Sequence, residues 1–213
     1  MSKEAATKSA SVDGADKSDD YVVLDIETTG LSKYYHKITE IAAVRVVEGK
    51  VVEEFQSLVN PETHIPSFIT KLTGISDKMV KDAPVIDDVM PKFVEFLGES
   101  IVVGHNATFD YGFLTENANA VLGKHLMNDR LCTMKLASRC LPQLSRRRLK
   151  DLCAYFEVEN SQAHRAMADT KATVEVFGQM CSLLAEKGLK SSDELLKFEK
   201  MPIRKCHSIL TLD

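Results

Sequence analysis

The chain has 213 residues, of which 44% are hydrophobic, and a formal net charge of −4 at pH 7. This length and apolar content support one substantial core, so we expect one domain with tails rather than two domains. No apolar run approaches the ~20 residues of a membrane span, and the N-terminus lacks the apolar segment of a signal peptide. These features predict a cytoplasmic protein. The slight negative charge argues against binding nucleic acid through bulk positive charge, but it leaves room for a local site.

The cysteines argue against two further classes of protein. They are odd in number and have no CxxC spacing, so they indicate neither a disulfide framework nor a zinc site. We expect buried, reduced thiols at all five positions, which are Cys132, Cys140, Cys153, Cys181 and Cys206.

The first half of the chain begins with a polar tail and continues with strands. Residues 1–19 contain almost no large apolar side chain, which predicts a disordered tail. Three apolar segments follow from Tyr21: YVVLDIE, ITEIAAVRVV and VVEEFQSLV, the last two separated by a tight turn at EGK. Three consecutive strands of this kind predict an antiparallel meander.

The second half alternates helices and strands. Periodicity becomes helical after Asn60-Pro61, and residues 86–97 read as a helix interrupted or restarted at Pro91. The strand SIVVGH follows, then a helix near 108–122, a short strand around Leu131, and helices near 133–140, 147–156 and 166–187. Residues 188–213 contain one short amphipathic helix, SSDELLKFEK, and an unassigned end. This order favours an α/β fold in which a mixed sheet is flanked by helices, with the folded domain at residues 20–187 and a C-terminal helix and tail at 188–213.

Acidic residues give the strongest functional signal. Asp25 and Glu27 are two apart on a strand, so both side chains project from one face. Two neighbouring carboxylates on an apolar strand repel each other unless a positive charge lies between them. Asp110 follows the strand SIVVGH in the first turn of a helix, and Asp169 begins the last long helix of the domain.

Each of these residues also has an ordinary structural interpretation. Asp25 and Glu27 could lie on an edge strand, Asp110 could cap its helix, and Asp169 could lie on a solvated helix face. His164, five residues before Asp169 in AHRAMADT, could be a buried packing residue, a metal ligand or a base.

Taken together, these residues carry a family resemblance. DIETTG, HNATFD and HRAMAD, in this order, resemble the three motifs of the DEDDh family of 3′→5′ exonucleases, which includes the proofreading epsilon subunits of bacterial DNA polymerase III. The resemblance covers about Tyr21 to Lys187 and includes LTGI at residues 72–75 and RRLKDLC at residues 147–153. The tyrosine branch of the superfamily places Tyr four residues before the last Asp, where this chain has Arg165, so the histidine branch fits. The resemblance implies a ribonuclease-H-like fold with a mixed five-stranded sheet.

The resemblance also implies a metal site. Four carboxylates without a cysteine and histidine ligand set suit two Mg²⁺ or Mn²⁺ ions rather than zinc. By resemblance, Asp25 bridges both ions, Glu27 and Asp169 hold the first, and Asp110 acts on the second largely through water. His164 would then be the catalytic base facing the attacking water, because histidine exchanges a proton near neutral pH.

Substrate contacts are predicted in three places. By resemblance, the loop of Thr28, Thr29, Gly30 and Leu31 receives the terminal nucleotide, with Leu31 packed against the last base; a plain glycine turn is the alternative. His105 and Asn106 lie beside Asp110 and would help to shape the pocket. The basic run SRRRLK at residues 145–150 either follows phosphates or forms a solvated helix start.

We therefore expect a metal-dependent enzyme that removes nucleoside 5′-monophosphates from single-stranded 3′ ends of DNA, in proofreading or repair. An RNA-trimming exoribonuclease is the main alternative, since nothing in the sequence reads the 2′-hydroxyl. The other alternative is a non-catalytic module that binds a polymerase or clamp. The presence of all five motif residues weighs against the non-catalytic module.

Overall fold

The computed structural model describes residues 20–210; the predicted disordered tail at residues 1–19 and the last three residues lie outside the described part. The strands are β1 (Asp20–Thr28), β2 (Ile38–Val47), β3 (Lys50–Leu58), β4 (Ile101–Gly104) and β5 (Arg130–Cys132). The helices are α1 (Ser67–Thr73), α2 (Asp77–Val80), α3 (Ile86–Leu97), α4 (Ala107–Leu122), α5 (Thr133–Cys140), α6 (Leu149–Phe156), α7 (Ala166–Glu186), α8 (Ser192–Lys200) and α9 (Ile203–Leu210).

The strands form one mixed sheet in the order β3-β2-β1-β4-β5. β1, β2 and β3 make the predicted antiparallel meander, while β4 and β5 run parallel to β1. The α/β class and the mixed five-stranded sheet are confirmed. β1 is the central strand, so the edge-strand interpretation of Asp25 and Glu27 is wrong.

Alternation along β1 divides the core into two layers. Val22, Leu24 and Ile26 pack with α3 and α4 on one face of the sheet, whereas Val23 packs with α5 to α9 on the other. Because side chains alternate along a strand, Asp25 continues the Val23 face toward the start of α7. The two carboxylates of β1 therefore lie on the face that α7 covers, where both are half-buried.

The predicted interruption at Pro91 is wrong. α3 continues from Ile86 to Leu97 with Pro91 inside it. Proline removes one backbone hydrogen bond, but the helix buries a full apolar face that holds it against the sheet. That face consists of Val89, Met90, Phe93, Phe96 and Leu97.

The C-terminal segment is more ordered than the sequence indicates. The predicted helix SSDELLKFEK is α8, and α9 occupies residues that the pattern leaves unassigned. Leu195 and Phe198 of α8 and Cys206 of α9 belong to the same core cluster as Val23. The proposed boundary at residue 187 stays a prediction, although the two helices beyond it contribute to the core.

The thiols and the helix lengths can also be compared with the expectations from the sequence. The five cysteines are free thiols, as expected. Cys132, Cys153 and Cys206 are buried, whereas Cys140 and Cys181 are only half-buried, so the expectation of burial is wrong for those two. Within residues 20–210, no helix has the length and apolarity that crossing a membrane requires.

Candidate active site

The predicted carboxylates meet where the central strand ends and two helices begin. Asp25 and Glu27 lie on β1, while Asp110 and Asp169 are each the fourth residue of their helix, in α4 and α7. Carboxylate oxygens of Asp25, Glu27 and Asp169 lie within 4.8 Å of one another. The N-termini of both helices favour negative charge in the first turn. The fold thus collects four acids from three distant segments at one end of the sheet.

Asp110 joins the group from inside the protein. It is buried, and its Oδ1 accepts a hydrogen bond from the backbone N–H of Ile26 at 3.3 Å, between the two β1 carboxylates. Asn106 holds the N-cap position of α4, so the capping interpretation of Asp110 is wrong.

The acids strongly perturb one another. Burial raises the pKa of Asp25 well above its ordinary value, and the negative charges of Asp110, Glu27 and Asp169 raise it further. Burial, followed by the charge of Asp169, raises the pKa of Glu27 to about 8. Burial raises the pKa of Asp110 to about 7, against two backbone hydrogen bonds that lower it. Near neutral pH the group must therefore retain protons or bind cations.

Asp169 is held by two donors at the start of α7. The Asn160 side-chain amide donates to Oδ1 at 2.6 Å, and the backbone N–H of His164 donates to Oδ2 at 3.0 Å. Asp169 is thus an organised, half-buried group and not part of a solvated face. Asn160 was missed by the sequence argument, because no motif marks it.

His164 lies in a turn directly before α7. Its backbone has a φ of +69°, in the left-handed region that few non-glycine residues adopt. Its side chain is exposed, which excludes the buried packing role. The histidine remains available as a base or a ligand.

The loop after β1 is closed by its own threonines. The Thr28 hydroxyl donates to the Gly30 carbonyl at 2.7 Å, and Thr29 exchanges two hydrogen bonds with the backbone of Lys37. A Cβ on Gly30 would lie 2.2 Å from the His36 ring, so any larger residue there would force that ring to move. Leu31 follows in the same loop and is 84% exposed. Thr28 and Thr29 therefore shape the loop, and Leu31 is the side chain that it presents.

The other predicted contacts differ in their surroundings. His105 is partly buried, with Nδ1 2.9 Å from the Thr133 hydroxyl, and burial lowers its pKa. Asn106 is exposed, with a φ of +67°. In the basic run, Arg148 pairs with Asp151 of α6, so part of that run serves to start the helix.

Comparisons with known proteins agree with this arrangement. The sequence model of the exonuclease family (RNase_T) matches residues 22–177. The PolC-type DNA polymerase III of Caldanaerobacter subterraneus subsp. tengcongensis is 46% identical over 176 residues, which is 83% of this chain and 12% of that protein. The DNA polymerase III subunit epsilon of Aquifex aeolicus is 40% identical over 157 residues, 74% of this chain and 78% of that one. The chain thus spans about an eighth of the PolC-type relatives.

Solved structures resemble the fold. A structure described as exonuclease X in complex with 5′ overhanging duplex DNA matches with a TM-score of 0.64 and 28% identity, over 82% of this chain and 99% of that one. E. coli exonuclease I in complex with a dT13 oligonucleotide matches with a TM-score of 0.67 and 18% identity, over 84% of this chain and 45% of that one, which indicates a shared fold.

The fold and the collected acids define a nuclease of the ribonuclease-H-like class. The chain belongs to the exonuclease family.

The acid group predicts an inverted pH dependence of stability. Because the folded pKa values of Asp25, Glu27 and Asp110 are raised, the folded state binds protons more tightly than the unfolded chain. The contribution of these three groups to the free energy of unfolding, measured in EDTA, should therefore be greatest below about pH 4 to 5. It should decrease as the pH rises to about 8.

Glu27→Gln removes one of the repelling charges. At pH 8 in EDTA it should raise the melting temperature by several degrees, since about 1 kcal/mol corresponds to roughly 2–4 °C in a domain of this size. Glu95→Gln, at an exposed position on α3, is the control and should have little effect. Equal melting temperatures for Glu27→Gln and the wild type at pH 8 would contradict this electrostatic account.

Proposed function

We propose that the protein is a metal-dependent 3′→5′ exonuclease that releases nucleoside 5′-monophosphates from single-stranded 3′ ends of DNA. The observation that carries this proposal is the group of four carboxylates at the end of the central strand, in which the pKa values of Asp25, Glu27 and Asp110 are raised. Such a group is costly for the fold unless cations neutralise it.

The residues fit divalent ions with hard oxygen ligands. Asp25, Glu27 and Asp169 present clustered carboxylate oxygens with no sulfur or imidazole among them, which suits Mg²⁺ or Mn²⁺. Two bound ions supply activation of water and stabilisation of the departing 3′ oxygen in phosphodiester cleavage. We propose that Asp25 would be a ligand of both ions, that Glu27 and Asp169 would hold the first, and that Asp110 would act on the second through water.

His164 is the proposed general base. Its backbone N–H donates to the Asp169 carboxylate, which holds the residue next to that acid, and its side chain is exposed to solvent. A neutral imidazole can take the proton from the attacking water.

DNA is the proposed substrate because of the relatives. Both are named as DNA polymerase III proteins, and the two solved structures contain DNA. We infer that the terminal base packs on exposed Leu31, in a pocket bordered by His105 and Asn106. A replicative polymerase, or its clamp, is the proposed partner for proofreading. The main alternative function is RNA trimming. A purely non-catalytic binding module is the least favoured function.

Digestion of 5′-labelled DNA and RNA strands of one sequence tests the proposal. With Mg²⁺ or Mn²⁺, the DNA strand should shorten stepwise from its 3′ end, and a 3′-phosphate should block the reaction. Asp25→Ala should abolish cleavage because it removes the ligand shared by both ions. Undiminished digestion in excess EDTA would contradict the metal-dependent mechanism. Faster loss of the RNA strand would show that RNA is the preferred substrate.

Substitution of His164 separates a base from a ligand. His164→Ala should reduce turnover by roughly 10²–10⁴-fold, the usual contribution of a positioned base, without raising the metal concentration that gives half-maximal activity. Activity of the variant should keep climbing at alkaline pH, where hydroxide replaces the base. Recovery of wild-type turnover at high Mg²⁺ would instead identify His164 as a ligand.

A further inference from the structure

A fifth carboxylate lies beside the proposed metal site. Glu40 on β2 is directly opposite Glu27 in the antiparallel register of β1 and β2, and its exposed fraction is 0%. Like charges directly opposite each other in a sheet are destabilising. A buried glutamate at this position therefore requires compensation from other groups.

Four donors supply that compensation. The Arg165 guanidinium donates from Nη2 to Glu40 Oε1 at 3.0 Å and from Nε to Oε2 at 3.2 Å. The backbone N–H of Ala166 donates to Oε2 at 3.1 Å, and the Gln56 side-chain amide donates to Oε1 at 3.0 Å. With both oxygens engaged, Glu40 is placed to hold the protein together and not to bind a metal ion.

The bonds of Glu40 end at the residues that open α7. Arg165 is the N-cap of that helix and Ala166 its first residue. His164 comes immediately before them, and Asp169 follows within one turn. Glu40 thus fastens the backbone between His164 and Asp169 to the strand that neighbours β1.

The charge of Arg165 also reaches the acid group. Arg165 lies close enough to Glu27 to lower the pKa of that carboxyl, although burial and the neighbouring acids raise it more. The bidentate contact fixes the guanidinium plane, so the positive charge has a defined place between Glu40 and Glu27.

We propose that Glu40 and Arg165 are positioning residues that set the distance between the β1 carboxylates and the start of α7, and thereby hold Asp169 and His164 in register with the metal ions. The idea rests on the proposed metal-dependent function. A shift of about 1 Å in such a site costs on the order of 10²-fold in rate, so loss of the anchor should weaken both metal binding and turnover.

The first measurement is Mn²⁺ binding to the full chain by calorimetry, without substrate. Arg165→Met should raise the dissociation constant at least 10-fold and lower kcat at saturating metal by roughly 10²-fold, with KM for a single-stranded oligonucleotide changed less than threefold. Arg165→Lys keeps the positive charge but loses the bidentate hydrogen bonds of the guanidinium. Its Mn²⁺ dissociation constant and its kcat should therefore lie between those of Arg165→Met and the wild type.

Lys171→Met is the matched control. Lys171 lies on α7 six residues after Arg165 and pairs with Glu54 of β3 at 3.0 Å, in an exposed position. It also ties this helix to the meander, but away from the acids. Its loss should leave metal affinity and kcat at wild-type values.

A double variant separates positioning from stability. Replacing a buried ion pair by apolar residues is often neutral or stabilising, so Glu40→Leu with Arg165→Met should recover a melting temperature lost in the single variant. The positioning role predicts that Mn²⁺ affinity and kcat stay low. The positioning role would be overturned if Mn²⁺ affinity and kcat returned to wild-type values in the double variant together with its melting temperature. Wild-type Mn²⁺ affinity in Arg165→Met would also overturn it. A wild type that binds Mn²⁺ but does not cut DNA would contradict the proposed activity, and the calorimetry would still decide the role of the pair.

Discussion

The structure depends on one electrostatic constraint, the gathering of carboxylates at the end of its central strand. Asp25, Glu27, Asp110 and Asp169 come from three segments. Burial holds the pKa values of Asp25, Glu27 and Asp110 above normal, and repulsion by the neighbouring acids raises those of Asp25 and Glu27 further. A fold selected for stability alone would not keep such a group. The strain is understandable if divalent cations complete the site, because the same charges that repel each other then become ligands.

The rest of the fold places these charges without letting them separate. β2 pairs with β1 along its whole length, whereas β4 pairs only with Tyr21 to Val23, so the end of β1 that carries Asp25 and Glu27 extends beyond β4. α4 and α7 both begin at this edge, and their N-termini favour the acids of their first turns. The hydrogen bonds of Glu40 join β2 to the start of α7, the helix that carries Asp169. The positions of the acids are thus set by contacts between the sheet and the helices that cover it.

Much of this could be predicted from the sequence, for physical reasons. The period-two pattern of YVVLDIE showed that Asp25 and Glu27 share a face, and the order of strands and helices indicated the mixed sheet. Other features had no local signal. In the sequence, Glu40 is simply a polar residue within a mostly apolar strand. Only the register between β1 and β2 shows that it lies opposite Glu27. Asn160 is recognised only through its contact with Asp169. α9 is short, and the core that it covers is assembled from distant residues. Pro91 suggests a break in α3, but the helix continues through it because burial of the apolar face outweighs the loss of one backbone hydrogen bond.

In the proposed function, the acid group holds two neighbouring divalent ions. This can be measured by electron paramagnetic resonance of the full chain titrated with Mn²⁺ in the presence of thymidine 5′-monophosphate. We expect two Mn²⁺ per chain with the exchange-coupled spectrum of ions ~3.5–4 Å apart, and loss of that coupling in Asp25→Asn. Mn²⁺ that binds singly and uncoupled to the wild type, or a coupled spectrum that survives Asp25→Asn, would contradict it.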